Sequence, residues 1–399
     1  MKNETYDNLI PNNMTRFWVN MLIVAAFSVE TIFRYVLIVL NKIPVASDIS
    51  YLFMPAVFVV LIYFNYNSWI RYRVKQNDLV WIMAYMLVIA ASYMFFPVNR
   101  IYIEQQWTLI LMTVPMYYLL GIIFTPDKKT MEILALLAKG IIVIDILFVI
   151  YWQGAGNEMG TDAMARAYRT LPAVLFLIMC AFNRRKVLDW AWMIFAVIYQ
   201  FTYGTRGPVI VVLAYILYFM LFKTKGLTAK KLVSVVLFVA FIIFYNTSAF
   251  DNMIVSMADW FESMGLSTRI FDHMQEETLA DSTGRESIFN QLYDMIHQNP
   301  LGYGVMGEYP VLGGYAHNIF LQLMVHFGIP GGVIIILAFL YLLIRAGKNN
   351  DNAYARDFIV MFACITIFRG FVSGSWCSYY FPFIIGLCVQ KIRADKIDS

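Results

Sequence analysis

Hydrophobic positions in this chain come in long runs with few charges. They show neither the alternation of a half-buried strand nor the three-to-four spacing of a soluble amphipathic helix. Runs close to the ~20 residues that a bilayer-spanning helix needs fall at about 17–40, 49–66, 79–97, 107–125, 131–152, 168–183, 187–203, 208–222, 230–249, 316–344, 357–374 and 377–391. The pattern predicts an all-α, polytopic membrane helix bundle of about 12 transmembrane helices, since backbone polar groups in lipid must be satisfied within each segment. The runs at 168–183 and 208–222 are among the shortest, so ten to thirteen spans fit the pattern. The first run follows a polar start, residues 1–16, and is long enough to stay as a signal anchor.

Polar interruptions divide the chain into three parts. Residues 1–249 carry nine spans, 250–315 form one large extramembrane loop, and 316–399 carry three spans and a tail.

Composition supports the membrane assignment: 60% of the 399 residues are hydrophobic and only 14% charged, outside the range of soluble domains. Basic residues set the orientation. With the amino terminus inside, inner segments collect twenty of the thirty, including Arg71, Arg73, Lys75, Lys128, Lys129, Arg184, Arg185 and Lys186. Both termini are therefore expected in the cytoplasm, with 250–315 on the extracytoplasmic face. The net charge of +4 is spread over short inner loops without a basic, aromatic-laced patch, so nucleic acid is not an expected partner. Cys180, Cys364, Cys377 and Cys388 lie in or beside apolar runs without disulfide or zinc spacing, and read as buried thiols.

The long loop is acidic, with ten carboxylates against two arginines, Arg269 and Arg285. In "STGRESIFNQLYDMIHQNP" a capping box at Thr283 and Glu286 opens a helix whose apolar face is Ile288, Phe289, Leu292, Met295 and Ile296, ending at Asn299 and Pro300. Arg285 would then sit in the first turn, where the helix dipole favours an anion. It either pairs with a loop carboxylate such as Asp281 or Glu286, or helps to bind an anionic ligand.

The glycine-rich stretch "LGYGVMGEYPVLGGY" leads back to the membrane at His317. From the local pattern, His317 and Asn318 read equally as a helix cap and as groups at a catalytic mouth. Charges inside spans add Arg369, a functional candidate by its position, and Glu30 with Arg34, four apart on one face and read as a neutralising pair. No phosphate-binding loop appears, and His273, His297 and His326 show no metal spacing.

The ordered motifs "TYGTRGP" (202–208), "STRI" (267–270), "TGRESIF" (283–289), "NPLGYG" (299–304) and "AHNIFLQLMVHFGIPGG" (316–332) resemble the O-antigen ligase and Wzy polymerase superfamily, most strongly over 200–345. The resemblance implies a GT-C-like bundle in the bacterial cytoplasmic membrane. It implies an undecaprenyl-diphosphate-linked oligosaccharide as donor and an active site on the extracytoplasmic face. Carried onto this chain, it makes His317 the catalytic base and Arg206 and Arg285 the diphosphate ligands. Arg269, Arg166, Arg169, Arg369 and Asn318 are further candidates for substrate contacts, and no metal or other cofactor is expected.

Within this resemblance the "TGR" and "GGYAHN" forms favour a polymerase that adds a growing lipid-linked glycan to a lipid-linked repeat unit. A ligase transferring finished glycan to a lipid A core is the nearest rival. A flippase or transporter of lipid-linked sugars is a third class, although its internal repeats are not evident. Membrane lipids are expected partners, and the sequence leaves open whether a chain-length regulator protein binds.

Overall fold

The computed structural model describes residue 20 and residues 74–154, 162–203, 205–223, 247–263, 287–348 and 353–398, with short pieces at 235–236, 239–240 and 243–244. All regular structure among these residues is helical. The chain divides into two compact units: Met1–Met131 with Ser287–Ser399, and Glu132–Glu286.

In the first unit α1 (Gln76–Phe95) ends where Pro97 opens a short 3-10 turn. The chain continues through α2 (Arg100–Gln105), a π-helical turn at Thr108–Thr113 and α3 (Val114–Ile123). The stretches Pro97–Gln105 and Thr108–Ile123 bend by 72° relative to each other. The run expected as one span at 107–125 is therefore the second limb of a bent pair.

After the second unit, described below, the first resumes with α9 (residues 287–298), the short α10 (Tyr309–Leu312) and the long α11 (Ile319–Gly347). It ends with α12 (Ala353–Cys364), a π-helical turn at Ile365–Arg369, α13 (Gly370–Ser373) and α14 (Tyr380–Asp398).

Helices α3 and α14 meet backbone to backbone. A Cβ on Gly121 would stand 2.2 Å from the Phe383 carbonyl oxygen, and one on Gly386 2.1 Å from that of Tyr118. Small residues give membrane helices this close packing, because lipid supplies no hydrophobic drive between them. Beyond the crossing, buried Asp78 receives both terminal guanidinium nitrogens of Arg393 at 2.7 and 2.8 Å and the Tyr118 hydroxyl at 2.7 Å.

The apolar face expected on α9 is formed. Leu292, Met295 and Ile296 are buried with Ala316, Leu321 and Val325, and Ile288 and Phe289 pack beside them.

Helix α11 is broken at Gly328, whose φ of 71° lies outside helical space, two residues before Pro330. In an unbroken helix the Val325 carbonyl would bond the Ile329 amide, and the His326 carbonyl would face residue 330, where proline has no N–H. The 300–304 strip supplies what the break removes. Tyr303 N–H donates to the Val325 carbonyl at 2.8 Å, Gly304 N–H to that of His326 at 3.0 Å, and Ile329 N–H to that of Pro300 at 2.9 Å. Gly302 and residues 304–308 are consequently buried, and Asn99 donates to the Tyr303 carbonyl at 2.7 Å to hold the strip in place.

The second unit holds most of α4 (Lys128–Gly154), then α5 (Asp162–Arg184), α6 (Val187–Phe201), α7 (Arg206–Phe222) and α8 (Ser248–Ser263). Helix α5 is its core, with Leu171, Val174, Leu175, Leu177 and Ile178 fully buried. Its apolar run is short because polar residues in its first turns, Arg166 and Thr170, are satisfied inside the unit and do not mark an end of the helix. Phe250, Ile254 and Ala258 of α8 pack at four-residue spacing on Val209 of α7.

Among the described residues four helices are long and apolar enough to cross a membrane, and the bent pair makes a fifth candidate. The helical, polytopic character expected from the sequence is thus present. The expected runs at 17–40 and 49–66 fall almost wholly outside the described residues, and much of 230–249 does too. All four cysteines are buried, as their apolar settings indicated.

Candidate active site

His317 lies at the entrance to α11, after the turn that closes α10. Gly313 ends that helix in the left-handed region with φ 68°, and His317 itself adopts φ 53°. A non-glycine residue there carries a backbone cost and persists only where its surroundings hold it. The Tyr315 ring lies against the imidazole, with centroids 4.0 Å apart and planes at 34°.

The two readings left open for His317 and Asn318 separate here. Asn318 is the cap: its side-chain oxygen accepts from the Phe320 and Leu321 amides at 3.0 and 3.1 Å, and its amide donates to the Phe371 carbonyl at 3.4 Å. The capping task falls to residue 318, and the His317 ring projects from the residue before it.

Arg369 belongs to the same neighbourhood. It ends the π-helical turn that leads into α13, and its guanidinium lies over the Tyr380 ring at 5.3 Å. A Cβ on Gly370 or Gly374 would stand 3.0 Å from the Ile319 side chain, and Phe371 stacks on Phe320 at 4.4 Å. The start of α11 and the 369–374 segment are therefore packed together. π-helical turns recur at functional sites.

Below the helix entrance lies a buried polar cluster. Glu308 accepts from the Gln322 side-chain amide at 2.6 Å through one oxygen and contacts His326 Nε2 through the other. The Trp376 indole N–H donates to His326 Nδ1 at 3.0 Å. An indole N–H can only donate, so Nδ1 is an acceptor, the imidazole proton sits on Nε2, and it is donated to Glu308. Gln322 turns its oxygen to the Ser375 hydroxyl at 2.9 Å and the Trp376 amide at 3.2 Å.

In the second unit Arg206 is the first residue of α7, after the break at 202–205 that separates α6 from α7. Pro208 falls in the first turn of α7, where its missing N–H does no harm.

The flank of this break is tied to α4 and α5. Arg166, 1% exposed, donates to both oxygens of Asp145 at 3.3 and 3.1 Å and stands 3.5 Å from the Tyr203 hydroxyl. Tyr199 and Tyr203 also donate to the Asp145 carboxylate. Arg166, read from the sequence as a candidate substrate contact, thus has a carboxylate partner inside its own unit, while Arg169 on the same helix is half-buried. Lys139, which falls within a span, pairs with Asp189 at 3.2 Å.

His317, Asn318 and Arg369 share one unit, and Arg166, Arg169 and Arg206 the other. Arg269 and Arg285, the cap at Thr283 and Glu286, and the Glu30 and Arg34 pair lie outside the described residues. Among the described residues no group of three His, Cys, Asp or Glu side chains is placed to hold a metal ion.

Sequence reasoning missed Asp145, Glu308, Gln322 and His326. Two signals were present: a lone aspartate in the run "IIVIDILF", and polar residues four apart, Gln322 and His326, on one face of an apolar helix.

Helices of this length and apolarity, with ionisable side chains held among them, define a polytopic membrane protein. Residues 191–336 match the family described as O-antigen ligase, which supports the resemblance to the O-antigen ligase and Wzy polymerase superfamily carried by the motifs in that stretch. That family implies a membrane enzyme of glycosyltransferase type. No match was found among curated proteins or among solved structures.

Proposed function

We propose that this protein is a polysaccharide polymerase of the bacterial cytoplasmic membrane. It transfers a growing glycan from undecaprenyl diphosphate onto a hydroxyl of a lipid-linked repeat unit on the extracytoplasmic face. The observation that carries the reading is that one matched stretch, residues 191–336, encloses Arg206, Arg269, Arg285 and His317 together.

In this reaction His317 removes the proton of the acceptor hydroxyl as its oxygen attacks the anomeric carbon. The bond from that carbon to the diphosphate breaks on the opposite side, and the configuration inverts. Negative charge builds on the leaving diphosphate, and Arg206 and Arg285 neutralise it with planar guanidinium groups that stay charged at any relevant pH. The chemistry asks no metal of the protein, because the arginines carry the leaving-group charge.

A ligase that delivers the glycan to a lipid A core shares this donor chemistry, and the family's description as O-antigen ligase favours it as the second reading. Purified protein incubated with a lipid-linked repeat unit, with and without a lipid A core acceptor, separates the two. Longer lipid-linked glycan supports the polymerase, and transfer to the core supports the ligase. Unchanged covalent products would reject both and favour a transporter.

A further inference from the structure

We infer that Glu308 is a positioning residue for His317, acting through a clamp that closes the base of the segment carrying it; the inference rests on the reading of His317 as the general base. Residues 308 and 322 are fourteen apart in sequence, yet their side chains meet at 2.6 Å, and the second Glu308 oxygen engages His326 one turn further along α11. Everything between them, α10, the turn at Gly313, His317 and the cap at Asn318, forms a loop pinned at both ends.

The pinning matters because of the His317 backbone. Its φ of 53° is costly for a residue with a Cβ. The Asn318 cap fixes the chain on one side of His317, through the Phe320 and Leu321 amides. Glu308 fixes it on the other, where the only regular structure is the four-residue α10. An imidazole that must meet an acceptor hydroxyl within hydrogen-bond reach depends on this placement, since a misplacement of ~1 Å can cost ~10²-fold in rate.

The polarity of the clamp shows why residue 308 is a carboxylate. Trp376 fixes the His326 proton on Nε2, and Ser375 and Trp376 fix the Gln322 oxygen away from Glu308. Two donors therefore converge on residue 308, and only a group that accepts through both oxygens satisfies them. Glutamine there would set one NH2 against another.

The same logic supplies the test. In Glu308→Gln the clamp is mismatched. In the double variant Glu308→Gln with Gln322→Glu, the amide of residue 308 donates to the carboxylate at 322, its oxygen accepts from His326, and the carboxylate still accepts from Ser375 and Trp376. Charge and hydrogen bonds are conserved, with the carboxylate moved by one partner.

Each full-length variant is assayed for kcat and KM in glycan transfer. His317 is also labelled with diethyl pyrocarbonate and quantified by mass spectrometry against exposed His297. Glu308→Gln is expected to lower kcat about 10²-fold with little change in KM, and to change the labelling of His317; the double variant is expected to restore both toward wild type. Unchanged His317 labelling in Glu308→Gln, or a double variant that recovers neither measure, overturns the proposal. Near-wild-type turnover in His317→Ala rejects the base assignment separately, because the labelling reads the clamp without reference to catalysis.

Discussion

A Cβ on Gly302 would stand 2.4 Å from the Gly328 nitrogen, and one on Gly328 would stand 2.6 Å from the Pro300 carbonyl oxygen. The "NPLGYG" strip and the break in α11 are thus in backbone contact, and each supplies the other's missing hydrogen-bond partners. Both glycines also have positive φ, 94° and 71°. Alanine at either position meets backbone atoms that cannot turn aside, on top of a conformational cost of roughly 1–3 kcal/mol. Gly302→Ala and Gly328→Ala are expected to lower the thermal unfolding midpoint in detergent markedly, whereas Gly347→Ala, where a Cβ meets nothing within 4 Å, is expected to leave it unchanged.

Asn318 caps the helix that follows His317, so Asn318→Ala is expected to cost about 0.5–2 kcal/mol of stability and to disturb His317 as well. Asn318→Asp keeps the acceptor for the Phe320 and Leu321 amides but sets an oxygen against the Phe371 carbonyl in place of the 3.4 Å bond. Unfolding midpoints and transfer rates for the pair of variants should place aspartate between wild type and alanine. Equal loss in both would mean that the bond to Phe371 is the one that counts.

The sequence made some of this visible and hid the rest for physical reasons. The apolar face of α9 was legible because five hydrophobic side chains recur at helical spacing, and the break before Arg206 because glycine and proline announce it. The docking of 300–304 into α11 was not, since it is made by backbone amides and carbonyls that leave no mark on residue type beyond the glycines. The partnership of Arg166 with Asp145 joins two helices through side chains 21 residues apart, a pairing that no local pattern encodes. His326 was set aside for want of metal spacing, although its neighbours are a carboxylate and an indole.

Asp145 and Arg166 form a buried ion pair, 0% and 2% exposed at their side chains. Removing one partner strands the other's charge, which typically costs about 3–5 kcal/mol, whereas replacing both with apolar residues of similar size is far milder. Asp145→Ala is expected to destabilise the protein severely, and Asp145→Leu with Arg166→Met much less. Thermal unfolding of the single and double variants checks this. If Arg166 served chiefly to hold substrate, Asp145→Ala would be mild and the double variant would fold but fail to bind donor.

The three residues assigned to the reaction separate by what each should lose. In the proposed mechanism His317→Ala removes the base and should lower turnover by about 10²–10⁴-fold with donor binding largely kept, because the arginines would hold the diphosphate. Arg206→Lys and Arg285→Lys keep the charge and lose the flat two-pronged donor geometry, so each should lose on the order of 10²-fold, the scale of removing one preorganised donor from a developing anion. Donor affinity measured beside turnover distinguishes the roles: the arginine variants weaken binding of the lipid diphosphate, and the histidine variant does not. Wild-type rates in both lysine variants would return those arginines to structural roles, and wild-type turnover in His317→Ala would require another proton acceptor at the mouth of α11.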